Sequence, residues 1–222
     1  MAVKDNMVKS PPKGAVRFSL SLSEEQKKAK TQILKHPYNF VVGKAGSGKT
    51  LLAVQIALDQ FFKKQYNKII ITRPTISTED NGFLPGSERE KIEPWLVPIR
   101  SNMRKVYNKP QILEKMEKDD QIELVSLAHF RCRTFDNAVV IVDEFQILTK
   151  SQLAMCIGRL GKDSKMIFCG DSYQIDLRDK QHSAYHDMAK LTNSDYVFKT
   201  VLTDSHRHAA IDDLLELLNG YH

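Results

Sequence analysis

The chain has 222 residues, enough for one α/β domain with a buried sheet and short for two such domains in tandem. Hydrophobic residues at 41% and charged residues at 27% are ordinary for a soluble globular fold. No apolar run approaches the roughly 20 residues that cross a bilayer, and Met1-Ala2-Val3-Lys4-Asp5 lacks a signal-peptide core, so the expectation is a cytoplasmic protein with no membrane partner.

The net charge of +6 is concentrated at the start, where residues 1–40 hold eight Lys or Arg against Asp5, Glu24 and Glu25. Residues 1–14, with Ser10-Pro11-Pro12-Lys13-Gly14, read as a mobile basic tail, either merely solvated or in contact with phosphates. The fold is expected over residues 15–222. Ser23, followed by Glu24, Glu25 and Gln26, has the pattern of a capping box and predicts a helix ending before His36-Pro37. Apolar runs follow at 38–42, 68–72, 121–125, 138–142, 165–169 and 196–202, alternating with helical stretches. Their nearly unbroken apolarity suits parallel strands covered on both faces, so the predicted fold is a doubly wound, mainly parallel α/β sheet in a single domain. Residues 73–120 interrupt this rhythm: Arg73-Pro74 and Leu84-Pro85-Gly86 punctuate a polar insertion ahead of a helix over 88–107, in which Trp95 is expected to pack against the sheet.

Gly43-Lys44-Ala45-Gly46-Ser47-Gly48-Lys49-Thr50 fits the pattern GxxxxGK[ST], with an apolar strand before it and an apolar-periodic helix over 51–62 after it. Glycines let such a loop curl so that successive N–H groups face a phosphate, and the helix N-terminus adds positive potential. Lys49 would reach the β- and γ-phosphates of ATP, and the Thr50 hydroxyl would ligate Mg²⁺.

The run Val139-Val140-Ile141-Val142 ends in Asp143-Glu144, which places two carboxylates at the edge of the sheet where ligands bind. Asp143 is expected to hold Mg²⁺ and Glu144 to polarise the attacking water; a plain helix cap is the bland alternative. The next run ends in Gly170-Asp171-Ser172-Tyr173-Gln174-Ile175-Asp176, where the neutral Gln174 amide could touch a γ-phosphate and the lytic water together. Gln26, one helix and one strand before the loop, is a candidate for pairing with adenine through N6 and N7.

These blocks together resemble the PhoH family, relatives of superfamily 1 helicases. The resemblance also rests on Ile71-Thr72-Arg73-Pro74, Gly82-Phe83-Leu84-Pro85-Gly86, Lys91-Ile92-Glu93-Pro94-Trp95-Leu96, Arg131-Cys132-Arg133-Thr134-Phe135, Asp143-Glu144-Phe145-Gln146 and Asp204-Ser205-His206-Arg207-His208, and spans residues 23–218. It implies a RecA-like P-loop domain that binds and hydrolyses ATP with Mg²⁺, coupled to single-stranded RNA or DNA. It implies further that Thr72, Arg73 and Pro74, with Arg131 and Arg133, contact nucleic acid, and that Arg207 reaches a γ-phosphate. Two positions depart from the family: Cys132 stands where glycine is usual, putting a side chain on a loop expected to approach a ligand, and His206 stands where valine is usual.

Two other functions compete with a nucleic-acid-coupled ATPase. One is a nucleotide-switched RNA-binding module without motor activity. The other is a small-molecule kinase, against which Glu144 argues because a kinase must exclude lytic water. His182 and His186, four apart, have metal-ligand spacing but no third ligand in a zincin pattern, and no GxSxG elbow marks a serine hydrolase. Cys132, Cys156 and Cys169 form no CxxC pair and indicate neither zinc nor a disulfide framework. Superfamily 1 motors close the nucleotide site with a second RecA-like domain, so the further expectation is a ring-like homo-oligomer such as a hexamer, with Arg207, Arg131 or Arg133 reaching the adjacent subunit's γ-phosphate.

Overall fold

A computed structural model describes residues 18–74, 88–171, 174–175, 180–206, 210–211, 214 and 217. The tail 1–14, the segment 82–86, Asp176, Arg207 and the Trp95 side chain lie outside the described residues.

The capping box at Ser23 opens α1 (Glu24–Ile33): Ser23 Oγ accepts from the Gln26 N–H at 3.2 Å, and Gln26 Oε1 accepts from the Ser23 N–H at 3.2 Å. Two orphan helix donors are thus satisfied reciprocally, an arrangement that stabilises a helix start by about 1 kcal/mol. The chain then runs through β1 (Tyr38–Gly43), α2 (Lys49–Phe62) and β2 (Lys68–Thr72). Next come α3 (Glu88–Val106), α4 (Pro110–Lys118), β3 (Ile122–Val125), α5 (Leu127–Phe130) and β4 (Ala138–Val142). After a 3-10 turn at Phe145–Ile147 follow α6 (Lys150–Ile157), β5 (Lys165–Gly170), α7 (Met188–Leu191) and β6 (Val197–Leu202).

All six predicted apolar runs are strands of one sheet, ordered β3-β2-β4-β5-β1-β6 with every neighbouring pair parallel. Every residue of β4 and β5 is buried, which explains why these strands read as unbroken apolar runs. Each strand sends alternate side chains to opposite faces, and two cores result. Ile69, Ile71, Val139, Ile141 and Ile167 pack under α1 to α4. Ile70, Val140, Val142, Phe40 and Phe168 pack with Phe130, Phe145, Leu153 and Met188 on the other face. Each fully buried aliphatic or aromatic side chain contributes about 1.5–3 kcal/mol.

Strand order decides what shares the C-terminal edge of the sheet. β5 lies between β1 and β4, with Val42 opposite Gly170 and Val142 opposite Phe168. β2 flanks β4 on its other side, with Thr72 opposite Val142. The phosphate loop, the Asp143-Glu144 pair, the Gly170-Asp171 turn and Arg73 therefore emerge from four adjacent strands. Among the described residues no helix is long and apolar enough to cross a membrane.

Candidate active site

At the loop leaving β1, Gly46 and Gly48 take φ of 89° and 81°, a left-handed region that glycine enters without strain. Gly48 caps α2, and a Cβ there would lie 2.6 Å from Gln26 Nε2. Lys49 folds back over its own loop, its Nζ donating to the carbonyls of Gly43 at 2.7 Å and Lys44 at 2.9 Å. Ser47 is 2% exposed, and its Oγ has no hydrogen-bond partner. A buried polar atom left without a partner costs about 1–3 kcal/mol, which a ligand's oxygens in this cradle would recover.

Thr50 Oγ1 donates to Asp143 Oδ1 at 2.8 Å, joining the start of α2 to the end of β4. Asp143 is buried, and burial, reinforced by the adjacent Glu144 carboxylate, pushes its pKa up to about 6, while the Thr50 hydroxyl, Arg73 and Lys49 pull the other way. A hydroxyl and a carboxylate side by side are hard oxygen donors, and with nucleotide phosphates and water they make the kind of set that Mg²⁺ takes. Positive charge there would also favour the ionised form of Asp143.

Glu144 stands at the N-cap position of the 3-10 turn but makes no side-chain cap; its φ of 55° and ψ of 43° put a non-glycine residue in the left-handed region. Such strain clusters at functional sites. Its carboxylate accepts from Arg73 Nη2 at 3.3 Å on Oε1 and from Gln146 Nε2 at 2.6 Å on Oε2. Arg73 Nη1 also lies 3.8 Å from Asp143 Oδ2.

Gln146, to which sequence reasoning assigned no role, is the hub of this edge. Its side chain is buried, accepts from the Asp171 N–H at 3.2 Å and donates to the Gln174 carbonyl at 3.1 Å. The Gln174 amide, half-buried, donates to Asp171 Oδ2 at 2.9 Å. In the sequence Gln146 figures only as the last residue of the Asp143-Glu144-Phe145-Gln146 block, without a role of its own.

The Gln26 amide is committed within the chain. Oε1 serves the capping box, while Nε2 donates to the Ser47 carbonyl at 3.3 Å and lies 3.3 Å from His206 Nε2. An adenine would have to take the place of these partners. The His206 N–H in turn donates to the Gly46 carbonyl at 3.2 Å, and Glu25 accepts from the Thr203 and Asp204 N–H groups, so the segment after β6 is tied to both α1 and the phosphate loop.

The remaining predicted residues separate. Thr72 and Pro74 are buried, and Thr72 Oγ1 has no partner, so of that tripeptide only Arg73 reaches solvent, with 25% of its side chain exposed. Arg131 is exposed. Arg133 pairs with Glu123 Oε2 at 2.7 Å and lies over the Phe135 ring at 5.1 Å. His182 ends a short 3-10 helix and His186 lies in the turn beyond it, so their spacing does not become one helical face. Cys132 is exposed, whereas Cys156 and Cys169 are buried.

A parallel sheet with a glycine phosphate loop and an Asp-Glu pair on one edge defines a P-loop ATPase fold. The large terminase of a thermophilic bacteriophage shares it at a TM-score of 0.59 and 9% identity, over 89% of this chain and 50% of that one. A SWI2/SNF2 ATPase core from Sulfolobus solfataricus shares it at a TM-score of 0.50 and 11% identity, over 84% and 46%. Within that class, the chain belongs to the PhoH-like protein family, whose pattern matches residues 20–219. It is 41% identical over 152 residues to a PhoH-like protein of Synechocystis sp., covering 68% of this chain and 46% of the relative. To a PhoH-like protein of Bacillus subtilis it is 38% identical over 181 residues, covering 80% and 56%. To one of Mycobacterium leprae it is 34% identical over 186 residues, covering 82% and 53%. The chain spans about half the length of the curated relatives it matches.

Proposed function

We propose that the protein is an Mg²⁺-dependent ATP hydrolase whose turnover responds to single-stranded RNA or DNA. The observation that carries this reading is the 2.8 Å contact between Thr50 and Asp143 with Glu144 one residue on, beneath a loop whose Ser47 hydroxyl is buried without a partner. The loop N–H groups and Lys49 would cradle the phosphates, and Lys49 would exchange its two loop carbonyls for β- and γ-oxygens. Thr50 and Asp143 would hold Mg²⁺, which would supply neutralisation of phosphate charge. Glu144 would take a proton from water as the water oxygen bonds to the γ-phosphorus and the bond to the bridging oxygen breaks, releasing ADP and phosphate. Gln174, whose amide donates to Asp171, would sense the γ-phosphate. Exposed Arg131 and partly exposed Arg73 are the described basic groups we assign to nucleic acid.

An ATPase titration with Mg²⁺, single-stranded RNA and single-stranded DNA tests the reading. Mg²⁺-dependent hydrolysis stimulated by either polymer supports it. A slow rate indifferent to both would favour the nucleotide-switched binding module, and phosphorylation of a metabolite would favour a kinase.

A further inference from the structure

Both oxygens of the Glu144 carboxylate have donors, and the two donors differ in kind. Gln146 is 1% exposed, and its amide is also bound to Asp171 and Gln174, so it belongs to the rigid frame of the sheet edge. Arg73 follows the last residue of β2, keeps a quarter of its side chain open to solvent, and spans the pair, with Glu144 Oε1 at 3.3 Å and Asp143 Oδ2 at 3.8 Å.

A guanidinium in this place works against the chemistry assigned to both carboxylates. Beside Asp143 it repels the cation that the carboxylate is placed to hold. On Glu144 it occupies Oε1 while Gln146 occupies Oε2, so neither oxygen faces an attacking water without a donor already in place. The guanidinium is also the group best suited to leave for a phosphate, which it binds in a bidentate fork. Arg131, exposed on the segment that follows β3, lies after the strand paired with β2 and adds a second basic side chain for the same partner.

We infer that Arg73 is a latch between nucleic acid and hydrolysis: paired with Glu144 and Asp143 it holds the site back, and a phosphate of a bound single strand draws it off. The inference rests on the reading of Glu144 as the residue that activates water. Arg73 is a positioning residue here, acting through Glu144 without touching the reacting atoms. Because coupling between two binding sites is reciprocal, a strand that removes Arg73 also raises affinity for Mg·ATP, and Mg·ATP raises affinity for the strand.

The test is steady-state ATPase of the wild type, Arg73→Ala, Arg73→Gln and Glu144→Gln, each with and without poly(U) and oligo(dT). Arg73→Ala is expected to raise the basal kcat by roughly tenfold, the size of an ordinary coupling between sites, and to bring the ratio of stimulated to basal kcat down to about 1. A structural injury does not raise a rate, so the basal increase separates the latch from a scaffold role. Arg73→Gln removes the charge while keeping hydrogen-bond donors, and decides the matter if Arg73→Ala melts early. A basal kcat at or below wild type in the folded variant, or a wild type that neither polymer stimulates, overturns the latch. Full turnover in Glu144→Gln rejects instead the underlying reading of the carboxylate.

Discussion

Gln146 donates from Nε2 to Oε2 of Glu144 at 2.6 Å, a buried amide holding a partly exposed carboxylate. The same amide is bonded to Asp171 and Gln174, so Gln146→Leu keeps approximate volume and strands the Asp171 N–H and the Gln174 carbonyl. Each orphaned group costs about 1–3 kcal/mol, and the carboxylate loses its anchor. The expected result is a kcat lower by roughly 10- to 100-fold, the usual effect of a misplaced catalytic group, with KM for ATP little changed. Steady-state kinetics at saturating Mg²⁺ check it.

Lys49→Ala and Glu144→Gln should fail in different ways. Lys49→Ala leaves phosphate charge uncompensated and should weaken nucleotide binding by roughly 100-fold. Glu144→Gln keeps the shape of the side chain but cannot accept a proton, so it should bind Mg·ATP near the wild-type level while kcat falls by about 100-fold or more. Calorimetric titration with a non-hydrolysable ATP analogue, beside phosphate-release assays, separates the two outcomes.

Gly48→Ala is expected to injure the loop from two directions at once. The residue has φ of 81°, and a Cβ there would meet Gln26 Nε2 at 2.6 Å, so either the loop or the α1 amide must shift. Strain of this sort costs about 1–3 kcal/mol. For a domain of this size that lowers Tm by about 2–4 °C per kcal/mol, and calorimetry would show it together with weakened nucleotide binding. Gly158, which has only ordinary contacts at 3.5 Å around its added Cβ and no positive φ, is the control and should tolerate alanine.

Lys165 opens β5 at the opposite edge of the sheet and is 3% exposed. Its Nζ donates to the carbonyls of Ile33, at 2.7 Å, and His36, anchoring the end of α1. Burial pushes its pKa down from 10.5 to about 8. Between about pH 8 and 10 the unfolded chain therefore binds a proton that the folded chain has released, so stability from this group rises with pH. Below pH 8 both states are protonated and the burial penalty is constant. Urea denaturation at pH 7.5 and pH 9.5 should show wild type gaining stability relative to Lys165→Met; an equal pH response in both proteins would mean that the ammonium is not desolvated. Above pH 10 the partly buried Tyr38 and Tyr66, whose pKa values burial raises, oppose this trend as the unfolded chain ionises first.

Six strands, the helix capped by Ser23 and the phosphate loop were legible in the sequence because each has a short-range signature: an apolar run of strand length, a box closed over three residues, a glycine spacing set by backbone curvature. Two further signatures of the same kind stand in the sequence. Thr149 and Gln152 form a second capping box at the start of α6, and Leu113 with Met116 marks the buried side of α4. What the tertiary structure alone decided is which strands are neighbours, a choice made by burial summed over the whole sheet and carried by no local period. Placing β5 between β1 and β4 brings Gln146 to Asp171 from 25 residues away, and placing β2 beside β4 brings Arg73 to Glu144 from 71 residues away. The sequence marks Arg73, through the family resemblance, as a contact for nucleic acid and Glu144 as the group that polarises water. That they hold each other follows only from parallel pairing that sets Thr72 opposite Val142 and turns the C-terminal ends of both strands to the same edge.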